Sequence, residues 1–252
     1  MTRVLSGVVL AAAALGAILF LPPIPLRVVV CLVAALAAHE YLRMVGGDDS
    51  YLGGVVIIAW LIASGNPVAP AAAAITTLFI GGLSALQARR TAAQSIAGAF
   101  SLIYIGMPLG MLAAIHGSAG WRSPLLLIAT VVVSDSFQYY SGRAFGRHAL
   151  APAISPKKTI EGALGGVLAG TVFLGVAGPL VSPQYSAVRF ALLGIVIALM
   201  GIAGDLFESR LKREANLKDS SALIPGHGGV LDRIDALLFV TPVFFVFMGG
   251  IR

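Results

Sequence analysis

The chain has 252 residues, of which 58% are hydrophobic and only 11% charged, and its mean hydropathy is +0.93. Soluble domains carry about 25% charged residues, so a water-soluble globule of this composition would lack the polar exterior to cover its apolar side chains; the bilayer is the solvent that tolerates it. The net charge of +6 and pI near 9.8 could suit nucleic acid, but in a membrane protein excess Lys and Arg mark loops facing anionic headgroups, and no nucleic-acid partner is expected. The single cysteine, Cys31, lies in an apolar run; it excludes an intrachain disulfide or a Cys-based metal site and reads as a small buried hydrophobe.

A membrane-spanning helix needs about 20 apolar residues, and that template gives candidate spans near residues 4–21, 26–45, 51–65, 68–86, 95–115, 123–141, 161–181, 187–207 and 236–251. The first follows Thr2-Arg3 and ends at Pro22-Pro23. It is longer than the roughly 7–15 apolar residues of a signal peptide and reads as a membrane helix. The third and fourth meet at Ser64-Gly65-Asn66-Pro67, a turn signal that predicts a tight hairpin. The seventh holds Gly162, Gly165, Gly166, Gly170, Gly175 and Gly178; small residues at this spacing let helices approach closely in lipid, which places this span inside the bundle and leaves room for a homodimer.

With the N-terminus inside, 13 of the 17 basic residues fall on the cytoplasmic side, and Arg27, Arg122, Arg189 and Arg252 on the other. That is the asymmetry of the positive-inside rule. The expected fold is therefore all-α: a polytopic integral membrane helical bundle of about nine transmembrane helices with a cytoplasmic N-terminus. Residues 1–120 supply packing helices and dimer contacts. Residues 121–252 form the catalytic part, with cytoplasmic loops 142–160 and 208–235.

Eleven acidic residues are too few to coat a domain, and six of them fall between Asp205 and Asp235. Asp135 and Asp205 sit in or at the ends of apolar helices, where a carboxylate is costly and is functional or paired. Asp205, Ser209 and Lys212 recur at helical spacing, as do Asp232 and Asp235, so each set shares a helix face. Hard oxygen ligands grouped in this way suit Mg²⁺ completed by substrate phosphates. Between them Pro225-Gly226-His227-Gly228-Gly229 can turn successive N–H groups toward an anion, next to a helix N-terminus of favourable dipole. Lys212, Arg213, Lys218 and Arg233 supply countercharge. Carboxylates, a Gly-rich loop and a basic cluster together describe metal-dependent phosphate chemistry.

Ser209-x-x-Lys212-Arg213, then Lys218-Asp219, then Ile224-Pro225-Gly-His227-Gly-Gly-Val-Leu-Asp232-Arg233-Ile-Asp235 resembles the signature of the phosphatidate cytidylyltransferases, or CDP-diacylglycerol synthases, at every fixed position. A second block is similar to that family's other cytoplasmic segment: Asp135-x-x-x-Tyr139, Gly142-Arg143-x-Phe145-Gly146-Arg147-His148, and Ser155-Pro156-Lys157-Lys158-Thr159-x-Glu161-Gly162. Phe137-Gln138 departs from it where a small residue is usual. Outside residues 135–166 and 204–235 only the apolar character matches.

The resemblance implies transfer of CMP from CTP to phosphatidic acid, giving CDP-diacylglycerol and pyrophosphate for phospholipid biosynthesis, in a multi-pass protein of the plasma or inner membrane whose site faces the cytoplasm. Asp205 and Asp232 are the first expected metal ligands, with Asp219 and Asp235 next, for Mg²⁺ alone or with a second metal ion. Asp205, Asp219, Asp232, Asp235, Lys212 and Arg233 are the catalytic set. Ser209, Arg213, Lys218, His227, Gly228, Gly229, Lys157, Lys158, Thr159 and Asp135 are the substrate-binding set. Asp232→Asn is expected to abolish turnover and leave folding intact. The competing readings are a CTP-dependent enzyme acting on another lipid phosphate or a polyprenol, and an ion-coupled transporter; the clustering of acids in one loop and the lack of internal repeats disfavour the transporter. His39-Glu40 reads as a buried polar pair, His116 as a solvated outer-loop residue, and Asp48-Asp49 as a solvated turn.

Overall fold

The computed structural model describes the chain apart from residues 1, 48, 67, 87–90, 225, 227 and 250–252, and apart from the side chains of residues 2–5. Arg89, Arg90 and Arg252 of the charge argument, the side chain of Arg3, and His227 of the candidate site lie outside the described residues. The helices are α1 (Thr2–Phe20), α2 (Pro23–Met44), α3 (Leu52–Ala63), α4 (Ala69–Ala85), α5 (Ala92–Ser101), α6 (Met107–Ala119), α7 (Arg122–Phe145), α8 (Ile160–Val181), α9 (Ala187–Glu214) and α10 (Leu231–Phe247). A π-helical turn, Leu102–Gly106, joins α5 and α6 into one rod. Among the described residues each expected apolar segment is thus one rod. Four rods, Pro23–Met44, Ala92–Ala119, Ile160–Val181 and Ala187–Glu214, are long and apolar enough to cross a membrane.

The π turn has a local cause. Met107 N–H reaches back five residues to the Leu102 carbonyl, and Pro108 has no N–H with which to resume the α ladder. Such turns are frequent at functional sites, and this one carries Tyr104 into the core beside Tyr41, Phe207 and Phe239.

One segment departs from the all-α expectation. Ala149–Ala151 (β1) and Ser155–Thr159 (β2) form an antiparallel hairpin with Ala149 opposite Thr159 and Ala151 opposite Ser155. The expected loop 142–160 is therefore the last turn of α7 followed by this hairpin. The expected loop 208–235 is also shorter, since α9 continues to Glu214 and α10 begins at Leu231.

The last four helices pack in chain order, α7 on α8, α8 on α9 and α9 on α10, while α10 also touches α6 and α2. Helix α8 is not enclosed, contrary to the expectation drawn from its glycines. Gly162, Gly166, Gly170 and Gly178 form a buried stripe, whereas Leu164, Leu168, Val172, Val176 and Leu180 on the other side are exposed. The glycines press one face of α8 against its neighbours and leave an apolar ridge for lipid. At Gly166 a Cβ would lie 2.8 Å from the Ser134 carbonyl oxygen, and at Gly162 it would lie 2.7 Å from that of Gln138.

Gly166→Ala is therefore expected to cost about 1–3 kcal/mol by overpacking. The control Gly82→Ala in α4, where an added Cβ meets nothing within 4 Å, should be neutral or stabilise by about 0.5–1 kcal/mol. Thermal unfolding of both variants in detergent is the check; equal melting temperatures would remove the close-approach argument.

Candidate active site

The C-terminal ends of α2, α7 and α9, the N-terminal ends of α8 and α10, and the hairpin meet at one end of the bundle. Close backbone approach makes this possible. A Cβ on Gly204 would stand 2.7 Å from the Asp235 carbonyl oxygen, so α9 and α10 nearly touch and Asp205 is carried against the first turn of α10. On the other side Gly142 and Gly162 meet face to face, with Thr159 beside them.

Two Lys–Asp pairs organise the site. Lys158, on the hairpin, is ion-paired and hydrogen-bonded to Asp205 on α9, and Ser209 Oγ donates to the other Asp205 oxygen over 3.3 Å. Lys212, one turn further along α9, donates to Asp232 at 2.6 Å and to Glu208 at 2.8 Å. The helical spacing thus places Asp205 and Ser209 together as expected, but Lys212 belongs to the adjacent stripe with Glu208. Asp232 is the best-satisfied carboxylate: besides Lys212 it accepts from Ser220 N–H and Oγ, both at 2.8 Å, and from Gly229 N–H at 2.7 Å.

A cavity of about 470 Å³ opens between α7, the hairpin and α9, lined by Asp135, Gln138, Tyr139, Arg143, Lys157, Lys158, Thr159 and Asp205 among others. Asp135 on α7 and Asp205 on α9 thus share one cavity, and Gly204, next to Asp205, presses against the Asp235 backbone on α10. Asp135 also accepts from Gln138 at 2.8 Å, which gives the unusual Gln at that position a partner. Thr159 Oγ1 caps α8 by accepting from Gly162 N–H at 3.1 Å. Lys157 of the lining is exposed, as are Arg213, Lys218, Asp219 and Arg233 on α9, the following loop and α10, and Arg213 donates to the carbonyls of Ile154 and Leu217. A larger cavity of about 640 Å³ at the opposite end has no charged side chain in its lining.

The Gly-rich loop is tight. Ile224 N–H donates to the Gly228 carbonyl at 2.8 Å, and Gly226 and Gly228 have φ of 76° and 80°, a region where only glycine is unstrained. The donors that follow the turn serve the protein's own carboxylates, however. Gly229 N–H goes to Asp232, while Val230 and Leu231 N–H go to Glu40 at 3.0 and 2.8 Å. The anion held at the N-terminus of α10 is the protein's own.

Sequence reasoning missed three residues. Glu40 and Glu208 are both buried carboxylates inside apolar helices, the signal that singled out Asp135 and Asp205. Arg143 lines the cavity, with a 3.4 Å contact to the Tyr139 hydroxyl. His39 does not pair with Glu40; it bonds Asp49 at 2.7 Å across the α2–α3 connection, so Asp49 is not simply a solvated turn residue. His116 lies in α6 rather than in a loop and is half-buried, its Nε2 3.0 Å from the Ile18 carbonyl.

Among the described residues no three His, Cys, Asp or Glu side chains are arranged to close on one metal ion. Asp135 and Asp205 nevertheless share the cavity wall, and Glu208 Oε1 and the Tyr104 hydroxyl are buried without hydrogen-bond partners. That excess of hard oxygen and negative charge fits an ion such as Mg²⁺, which takes few protein carboxylates and completes its shell with phosphate and water.

The chain is a many-helix apolar bundle with a charged, oxygen-rich cavity at one end. The family model for the cytidylyltransferase family matches residues 1–250, and the chain belongs to that family. It is similar to the phosphatidate cytidylyltransferase of Thermotoga maritima, 40% identical over 163 residues, covering 63% of this chain and 59% of that one. It is similar as well to the phosphatidate cytidylyltransferase of Aquifex aeolicus, 44% identical over 124 residues (49% and 46%), and to the uncharacterised Escherichia coli protein YnbB, 43% identical over 124 residues (49% and 41%). The matches span about half the length of these curated relatives.

Proposed function

We propose that the protein transfers CMP from CTP to phosphatidic acid, forming CDP-diacylglycerol and pyrophosphate. The observation that carries this reading is the Lys158–Asp205 pair, which joins the two signature blocks in one cavity. The names of the Thermotoga and Aquifex relatives support the same reaction.

Both substrates are anionic, so the chain must screen charge and align two phosphates; the lipid phosphate is itself the nucleophile, and no protein nucleophile is required. Lys157 and Arg143 line the cavity, and they, with the exposed Arg213, Lys218 and Arg233, would hold the triphosphate and the lipid headgroup by charge-assisted hydrogen bonds. Lys158 and Lys212 stand deeper, each already on a carboxylate, where a fixed cation stabilises charge developing on the leaving pyrophosphate. Mg²⁺, when bound, supplies Lewis-acid screening of the phosphates. Asp205 and Asp235 on facing helices are the residues to hold it, with Asp135 and Asp219 nearby. Asp232, ranked equally with Asp205 on sequence, has one oxygen taken by three loop donors and the other by Lys212. Its role is to fix Lys212 and the Gly-rich loop. Tyr139, Gly162 and Ala163 at the α7–α8 seam give the lipid headgroup a lateral approach.

The same reading sets the cavity on the cytoplasmic face of a nine-span bundle with its N-terminus inside, as the placement of basic residues favours. It allows a homodimer through lipid-facing helix surfaces. The test is incubation of purified protein with CTP labelled at the α-phosphate and phosphatidic acid in detergent, with and without Mg²⁺. A metal-dependent, lipid-extractable CMP product and free pyrophosphate are expected. Product from another lipid phosphate but none from phosphatidic acid would move the acceptor; no lipid-linked CMP from either would end the reading.

A further inference from the structure

Glu40 lies near the C-terminal end of α2, far in sequence from either signature block, and it is only 3% exposed. A carboxylate at such a position is costly unless its oxygens are satisfied. Here four donors satisfy it, all from the catalytic loop or the start of α10. One oxygen accepts from Ser221 Oγ at 2.7 Å and Val230 N–H at 3.0 Å; the other accepts from Ser220 Oγ at 2.9 Å and Leu231 N–H at 2.8 Å. The Val230 and Leu231 N–H groups are orphan donors at the opening of α10, which has no side-chain cap of its own, and a negative charge there is favoured by the helix dipole.

The contacts continue directly into the catalytic pairs. Ser220 Oγ lies between Glu40 and Asp232 and shares its single proton between the two carboxylates, and Asp232 in turn holds Lys212. Gly229, between the two carboxylates, has no room for a side chain: a Cβ there would collide with Ser220 Oγ and both Glu40 oxygens. Glu40 therefore fixes the height and rotation of the first turn of α10, and with it the places of Asp232 and Asp235. Among the described residues the partners of Glu40 are these four donors and no cation, so the loop itself is its counterpart.

We propose that Glu40 is a positioning residue for the transfer reaction: an anion built into α2 that clamps the Ser220–Leu231 loop and sets the catalytic carboxylates of α10. This rests on the cytidylyltransferase reading for its kinetic consequence but not for its structural one, and the two are tested separately. Hydrogen–deuterium exchange of full-length protein in detergent, comparing wild type with Glu40→Gln, is expected to show faster exchange in peptides spanning 220–231 and unchanged exchange in α8. Gln retains the shape but turns an N–H toward donors. In the transfer assay Glu40→Gln should lower kcat by about 10-fold or more with KM for CTP within about threefold, the pattern of an interaction that acts on the transition state rather than on binding. Glu40→Asp, which keeps the charge on a shorter stem, should recover part of that loss.

Unchanged exchange over 220–231 in Glu40→Gln overturns the proposal, whatever the assay gives. So does a normal kcat per folded molecule in an active enzyme whose Glu40→Gln variant merely melts earlier. If Glu40→Gln does not fold, the same exchange and kcat comparison is read on Glu40→Asp, with a smaller loss expected and wild-type values overturning the proposal. A wild-type protein inactive toward CTP and lipid phosphates, with faster loop exchange in the variant, would sink the reaction and keep the clamp.

Discussion

Asp205→Asn is expected to remove CMP transfer almost entirely, by at least about 10²-fold in kcat, while leaving the melting temperature nearly unchanged. The physical reason lies in where the pair sits. Lys158 and Asp205 are 22% and 38% exposed at the side chain, so the bond between them is worth only about 0–1 kcal/mol to the fold. What the substitution removes is the carboxylate that lines the cavity from α9, while Asp135 lines it from α7. Turnover with labelled CTP and a thermal melt of the same preparation decide the matter; a variant that loses stability in step with activity would show that the pair holds the bundle rather than the substrate.

Asp232→Asn should behave differently, and here the structure changes the expectation drawn from sequence. Its side chain is 6% exposed and accepts from Lys212, Ser220 and Gly229. Asn can keep one oxygen for the loop donors, but its amide then faces the Lys212 ammonium, or the reverse. One set of buried donors is left unmatched, at a cost of about 1–3 kcal/mol. Activity should fall by about 10²–10³-fold together with a lowered melting temperature. Wild-type turnover at saturating Mg²⁺ would remove Asp232 from the catalytic machinery altogether. The two substitutions, chemically identical, thus separate a residue that faces substrate from one that fixes the frame.

Much of the fold was legible because long apolar runs favour helices: among the described residues each such run is a rod, four of them long and apolar enough to cross a membrane, and the turn at Ser64-Gly65 separates α3 from α4 as its residues suggest. The hairpin at 149–159 was not legible, since Ser-Pro-Lys-Lys-Thr has neither alternation nor an apolar face, and pairing with Ala149–Ala151 alone gives it shape. The glycines of α8 signalled close packing correctly but not on which side; the leucines and valines four residues apart on the opposite face held that information. In the site, the motif spacing led to Asp205, Lys212 and Asp232, yet not to who pairs with whom. Lys158 meets Asp205 from 47 positions away, and no local pattern encodes that. Glu40 was visible as an acid in an apolar helix but was overshadowed by its neighbour His39, which turns to the other side and bonds Asp49.

The Glu40 clamp also bears on how the molecule comes to be assembled. Its bonds to Val230 and Leu231 join residues 190 and 191 positions apart, about three quarters of the chain's length. During synthesis the N-terminal end of the protein is made first, so the carboxylate of α2 is in place long before the donors that satisfy it exist. Contacts of such range form only after the intervening chain has been ordered. Completion of the catalytic loop is therefore one of the final events of folding, and a chain stopped before α10 carries a buried charge with nothing to receive it.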